Sequence, residues 1–347
     1  MLSAAAVLCA SASGARAESM DLALSRLRIV GGRPGCAGTG TTARQFCPSQ
    51  APFERLVSEF AMSMAPPVNT PARGIGPRAF ALALDTTVTG IESASPYWSA
   101  GTEGAGQNAA AELDANPNPA SAMIWNRFQL RSGLPLGFEV GAALAQGLDT
   151  SMWTLGLSLK WAVFEGFRTG LGRMPDVALR AELVRSVGSS QATVQLYTTD
   201  ITLSKPFVIE HAWTLSPLAG LQLVLVDVTS GVIDLTPGGL TPAISNTPDP
   251  SLDATNACIP LPGNQPTAAL VCTGDSADTV NNVTFDTVAQ TRARAFFGAQ
   301  LGYRMITFAA SMQVDLLAPG LVAKAYDGGP RNVARLIAGN LTLGLVL

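Results

Sequence analysis

The chain has 347 residues, of which 47% are hydrophobic and only 14% charged, and its formal net charge is −3; an ordinary soluble domain carries roughly 25% charged residues. The mean hydropathy of +0.27 is high, yet no window holds about 18 consecutive apolar residues, which excludes a helical membrane span. No Lys/Arg cluster occurs, so nucleic acid is not an expected partner, and the single histidine, His211, excludes a multi-histidine metal site within one chain.

The N-terminus reads as an export signal. Leu2 to Ala10 are small and apolar, and Ala15-Arg16-Ala17 fits a small-x-small cleavage site before Glu18. Residues 1–17 are therefore assigned as a signal peptide, although the usual basic start is missing; an Ala/Ser-rich tail is the other reading. Leu8 before Cys9 argues against a lipoprotein anchor. Four cysteines remain after cleavage, Cys36, Cys47, Cys258 and Cys272. In an oxidising compartment they form two local disulfides, Cys36–Cys47 and Cys258–Cys272, each worth on the order of 2–3 kcal/mol by loop closure. Metal binding competes with this, but no C-x₂-C element occurs. No metal and no cofactor are expected.

Residues 18–50 show no sustained period, and their glycines make no phosphate loop because no G-K-[ST] follows. Residues 52–65 are predicted helical: Phe53, Leu56, Val57, Phe60 and Met64 share one face, Pro52 suits the first turn, and Pro66-Pro67 ends it. We assign 18–78 as a periplasmic or lumenal N-terminal segment.

From Ala79 the period changes to two. The first predicted strand, Ala79–Ile91, puts Phe80, Leu82, Leu84 and Val88 opposite Asp85, Thr87 and Thr89. Residues 92–122 interrupt. Strands follow at Met123–Leu130 and at about Leu136–Ala145, the latter with Phe138 and Val140 opposite Glu139. The fourth alternates Trp153, Leu155, Leu157, Leu159 and Trp161 with Thr154, Gly156, Ser158 and Lys160. The fifth sets Val177, Leu179, Ala181 and Leu183 against Ala178, Arg180 and Glu182. The sixth, Ala192–Leu203, alternates weakly and is read with a bulge near Thr199. The seventh runs from Trp213 to Leu225, where Val224 and Val226 blur the pattern. After the long insertion 229–289 the eighth places Ala295, Phe297, Ala299, Leu301 and Tyr303 opposite Arg294, Gly298, Gln300 and Arg304. Phe308 to Leu316, with Asp315 on the polar side, is the ninth. Beyond the loop 318–332, Arg335–Leu347 is the last.

Alternation alone fits a soluble sandwich equally well. Three features favour a membrane barrel. The segments run about 9–13 residues, the length a tilted strand needs to cross hydrocarbon, where soluble strands have a mode near 5–6. The long connections 92–122, 229–289 and 318–332 all fall at odd-numbered positions, as in barrels with long extracellular loops and short periplasmic turns. The charges Asp85, Glu139, Lys160, Arg180, Glu182, Arg294, Arg304 and Asp315 all lie on the face opposite the Leu/Val/Phe/Trp face, as lumen-lining residues do. Trp125, Trp153, Trp161, Trp213, Tyr303 and Phe308 lie near strand ends, as interfacial girdles do.

With its signal-like Met1–Ala17, the alternating Trp153–Trp161 and Ala295–Tyr303 strands and an alternating last strand ending at Leu347, the sequence resembles the bacterial outer-membrane β-barrel proteins over about residues 79–347. Those families commonly end on an aromatic residue; Leu347 departs from this but is still apolar. A fainter likeness is to the fatty-acid transporter type of barrel, whose N-terminal segment blocks the lumen, a part that 18–78 would play here. The expected fold is all-β: an antiparallel up-and-down transmembrane barrel of about ten strands (roughly eight to fourteen) with a short N-terminal helix. The expected site is the bacterial outer membrane. Membrane lipid is the expected partner, with a small or hydrophobic solute where passage is the function, in a monomer or small homo-oligomer. Passage of such solutes is one functional reading; a structural or surface-binding barrel with a plugged lumen is the alternative. No catalytic residues are assigned. An enzyme would need His211 beside a serine nucleophile, and a turn histidine is the simpler reading.

Overall fold

A computed structural model of the protein describes residues 18–30, 46–104, 116–165, 174–209, 212–235, 258–260, 270–272, 282–316 and 335–347. Ten long strands form its wall: β1 (Phe80–Gly90), β2 (Ala122–Gly133), β3 (Phe138–Gly147), β4 (Trp153–Phe164), β5 (Asp176–Val187), β6 (Ala192–Ser204), β7 (Trp213–Ser230), β8 (Val288–Tyr303), β9 (Ile306–Asp315) and β10 (Ile337–Val346). Each is antiparallel to the next in sequence, and β10 returns to pair with β1, for example Leu343 opposite Leu84. The barrel is closed, so every strand has two neighbours and no edge is left to solvate. Phe80 and Leu347 seal the seam with two backbone hydrogen bonds of 3.0 and 2.7 Å.

The alternation read from the sequence becomes an inside and an outside. Leu84, Leu157, Leu221, Phe297 and Leu341 are each more than half exposed, while Asp85 (4%) and Arg294 (1%) are buried. A soluble protein does not expose such a belt. No helix among the described residues is long and apolar enough to cross a membrane; the strands do the crossing, with their backbone groups paired sideways. At one end of the barrel Phe138 stacks on Trp161 (5.5 Å) and Trp213 leans on Tyr303 (4.6 Å), an aromatic rim at the height of lipid head groups. Trp125 does not belong to that rim. It is 3% exposed and points inward, because its odd position in β2 shares a face with Arg127 and Gln129.

Two strand details correct the sequence reading. β6 keeps an unbroken register with both β5 and β7, so there is no bulge near Thr199. Its alternation is weak because threonines stand on both faces. The register shift instead falls in β4, between Ala162 and Phe164. β8 starts at Val288 rather than near Ala295, because its first residues carry the inward Arg292 where an apolar pattern was sought.

The connections sort by end. One end carries the short turns 134–137, 165–175, 205–212 and 304–305. The other carries 91–121, 148–152, 188–191, 231–287 and 316–336, the long ones among them. At the long-loop end sit α2 (Pro96–Gly101) and a ladder of Arg28–Val30 with Phe46–Pro48; within the connection 231–287 a short ladder sets Cys258 opposite Cys272. Cys47 pairs in register with Ile29; Cys36 and His211 lie outside the described residues. The remaining helix, α1 (Gln50–Ser63), is inside the barrel.

Candidate functional site

The lumen has two storeys of different chemistry. In the half nearer the long loops the inward side chains are apolar: Trp125, Val184, Val194, Leu196, Val224, Val226 and Val228. They form one cluster with Phe53, Leu56, Val57 and Phe60 of α1. Phe53 stacks on Phe285 at 4.4 Å, and Phe60 sits 6.4 Å from both Trp98 and Trp125. A helix with one apolar face ordinarily leaves the other wet. Here Ser58, Glu59 and Ser63 are buried too, because the wall surrounds the helix.

Those buried polar groups are all matched. Ser58 Oγ donates to Gln290 (2.9 Å), and Trp125 Nε1 donates to Ser63 Oγ (3.0 Å). The Glu59 carboxylate accepts three hydrogen bonds from the first long connection: the amide of Glu92 (3.0 Å), Tyr97 Oη (2.5 Å) and Trp98 Nε1 (3.0 Å). Burial, and then the bond to Glu59, hold the Tyr97 phenol well above the usual tyrosine range. Glu59 thus latches the helix to α2.

The ionic part of the wall begins within that same half, where Arg292 stands opposite Val224 and donates to Ser58 of α1 (3.2 Å), and it fills the other half. Arg292 and Arg294 both reach Asp315, at 2.5 and 2.8 Å; Arg180 bonds Asp200 at 2.7 Å and lies 3.6 Å from Glu182; Arg127 also pairs with Glu182; Arg131 and Lys160 flank Glu139 at 3.2 and 3.4 Å. A Cβ at Gly156 would stand 3.0 Å from Glu182 Oε1, so this glycine leaves room for the Arg127–Glu182 pair.

Through this ionic half runs an extended segment, residues 64–78, linking α1 to β1. It contains Pro66, Pro67, Pro71 and Pro77. Proline has no N–H, so the segment is rich in carbonyls that need donors, and the wall's donors supply them. Arg294 donates to the Met62 carbonyl (3.0 Å), Gln222 to Pro66 (3.2 Å), Arg180 to Pro67 (3.0 Å), and Lys160 to Pro71 and Arg73 (2.8 and 2.9 Å). Asn69 bonds Thr342 (2.7 Å) and Ser311. Where amides are available, wall oxygens accept them: Ala72 to Ser204 (2.8 Å), Gly74 to Glu165 (2.9 Å) and Ile75 to Glu139 (2.8 Å). The chain leaves beside Gly133, where a Cβ would strike the Gly76 carbonyl; Gly76 and Arg78 turn it with positive φ of 96° and 68°. Between the two storeys is an enclosed cavity of about 20 Å³, bordered by Ser63, Met64 and Arg127, with room for about one water.

Of the residues singled out from the sequence, Asp85, Glu139, Lys160, Arg180, Glu182, Arg294 and Asp315 point into this interior and are buried. Asp85 accepts a hydrogen bond from Thr342 (2.5 Å) rather than joining an ion pair. Arg304 is elsewhere. It occupies the β8–β9 turn with φ 52°, exposed, its guanidinium 5.5 Å from the Tyr303 ring centre; the tight turn begins at this residue and ends the alternation that would have turned it inward. The sequence reading passed over Arg127, Arg131, Asp200 and Arg292. Arg127 and Asp200 sit at inward period-two positions of predicted strands, and that position was the available signal; Arg131 falls just past the predicted end at Leu130, whereas the strand runs on to Gly133.

No family model matches this sequence, and no match was found among curated proteins. Among solved structures it is similar to the translocator domain of autotransporter NalP from Neisseria meningitidis, with 8% identity, 84% of this chain and 94% of that one covered, and a TM-score of 0.35. It is also similar to Ail, the attachment invasion locus protein of Yersinia pestis (6% identity, 78% and 100% covered, TM-score 0.25), and to the NanC porin (8%, 76% and 98%, 0.28). At such scores neither strand number nor function transfers from those proteins to this one. The chain's own geometry is the stronger statement: a wall with no edge, an apolar outside and charges turned inward are the architecture of the bacterial outer membrane, and this chain is an outer-membrane β-barrel of ten strands.

Proposed function

We propose that this barrel is plugged by its own N-terminal segment and works through its long-loop face rather than as an open pore. One observation carries the reading: α1 and residues 64–78 fill the lumen along its length, and the wall's charges are spent on them and on one another. Outer-membrane barrels carry their long loops outside. On that orientation, residues 18–30 and 46–49, α2 and the described parts of the neighbouring connections make one external lid. The lid is tied together by Asp21 with Thr150 and Ser151 (2.8 and 2.7 Å), Arg26 with Glu103 (3.0 Å), and Gln50 with Asp286 (3.0 Å). Export by residues 1–17 and the disulfides Cys36–Cys47 and Cys258–Cys272 belong to the same reading, since an exported chain meets an oxidising compartment. The role is structural or surface-binding, without catalysis, in contact with membrane lipid. In planar bilayers the intact protein is expected to show no steady conductance, and deletion of residues 18–75 to open a channel. Steady conductance from the intact protein would defeat the proposal.

A second reading, passage of small or hydrophobic solutes, is favoured by one feature. The segment 64–77 is held by side chains and shares no strand ladder with the wall, so it can leave without unzipping a strand. Solute uptake into liposomes by the intact protein, abolished by a cross-link between plug and wall, would establish this reading over the first.

A further inference from the structure

We infer that the cargo of this lumen is the chain's own N-terminal segment, so that Glu18, and any polypeptide joined to it, is displayed on the outer surface of the cell. The inference rests on the orientation proposed above, long loops outward.

The ordered contacts of the segment define its path. β1 begins at the short-turn end, where the Arg78 amide bonds the Gly133 carbonyl at 3.0 Å. Followed backward from there, Ile75 and Ala72 contact Glu139 and Ser204, at strand ends on the same side. Pro67 and Met62 meet Arg180 and Arg294 deeper in. Ser58 reaches Gln290 near the start of β8, and Glu59 reaches Glu92 just beyond β1, both toward the long loops. Leu24 then bonds Gln191 (2.6 Å), and Met20 the Asp149 carbonyl (2.8 Å), in two connections of that end. Glu18 is exposed there. The contacts move one way along the barrel axis without doubling back. Both ends of the sheet are at the short-turn side, yet the N-terminal side of the molecule is at the other. A closed wall offers no lateral gap, so the only route between them is the lumen.

The test uses cysteine substitutions in the full-length protein, labelled on intact cells with a membrane-impermeant maleimide. The unsubstituted parent serves as background, and only the folded population, identified by heat-modifiable gel migration, is scored. The positions are Glu18→Cys, Val232→Cys at the long-loop end and Met305→Cys at the short-turn end, the last two side chains being 69% and 51% exposed; Ser19→Cys replaces Glu18→Cys if that variant does not fold. The inference expects Glu18→Cys and Val232→Cys to label on intact cells, and Met305→Cys only after permeabilisation. Labelling of Val232→Cys but not Glu18→Cys on intact cells overturns the inference and leaves the orientation standing. Labelling of Met305→Cys alone overturns the orientation, and the inference with it.

Discussion

Truncating Phe60 to alanine separates the plug from the wall energetically. Phe60 is fully buried against Trp98 and Trp125, and Phe→Ala changes in cores cost about 3–5 kcal/mol. The cost depends on how far the surroundings can collapse into the hole. Here the surroundings are a closed ring of ten ladders that cannot draw inward without breaking register, and a small cavity already lies one turn away at Ser63. The upper part of the range therefore applies. Because α1 carries no backbone ladder to the wall, the loss falls on docking. The population with α1 undocked rises by roughly a thousand- to a few-thousand-fold, one factor of ten for about each 1.4 kcal/mol. Amide hydrogen exchange reads such local openings directly. Residues 54–63 should lose protection by that factor, while amides of β3 to β7 keep theirs. Unchanged protection in α1 would refute the reasoning, as would equal loss in helix and strands, since the plug would then not be a separable unit.

Other outcomes follow from the same structure. Lys160→Met leaves Glu139 with Arg131 and removes two donors to the Pro71 and Arg73 carbonyls; breaking such a buried pair costs about 3–5 kcal/mol, so the folded band on heat-modifiable gels should vanish at a lower temperature, and Glu139→Gln in the same chain should restore part of the loss. Leu341→Arg places a charge on the outer belt, where Leu341 is 65% exposed, at a cost of about 2–4 kcal/mol near the bilayer midplane; folding yield into liposomes should fall sharply, and an undiminished yield would argue against a lipid-facing surface. Tyr97, whose phenol is held above its ordinary value by burial and by Glu59, should stay protonated in an alkaline absorbance titration above the ordinary tyrosine range, and Tyr97→Phe should remove that late absorbance step. A group whose folded pKa is raised contributes stability below its unfolded value, near 10, and loses it as pH climbs through the folded one, so Tyr97→Phe should reduce the alkaline sensitivity of the lid.

The wall was legible in the sequence because alternation is a local signal. Leu155, Leu157 and Leu159 against Thr154, Ser158 and Lys160 define a strand with two faces wherever it ends up. The plug was only half legible. The stripe Phe53–Leu56–Val57–Phe60 shows a helix with one apolar face, but whether Glu59 and Ser63 meet water depends on residues 33 to 62 positions away. A trace of the plug did exist. The blurred alternation at Val224 and Val226 is the apolar storey that receives α1, a real inward face that merely happens to be dry. Trp125 and Arg304 went astray for related reasons: an aromatic near a strand end can face either way, and a charge in register with a strand belongs to the lumen only if the strand reaches that far. Pairs within a strand or across one hairpin, such as Arg180–Glu182 and Glu139–Lys160, lie within reach of a sequence reading, whereas Arg127–Glu182 joins β2 to β5, strands that are not neighbours, at a height set by the closed register and by no local pattern.

The four prolines between α1 and β1 bear on how the strand number is kept. Before β10 meets β1, both present unpaired backbone to any extended chain nearby. A segment lacking amides at Pro66, Pro67, Pro71 and Pro77 makes a poor eleventh stave, because a ladder needs a donor at alternate positions. The composition that lets residues 64–78 occupy the interior thus also keeps them from being built into the wall, and the ring closes at ten.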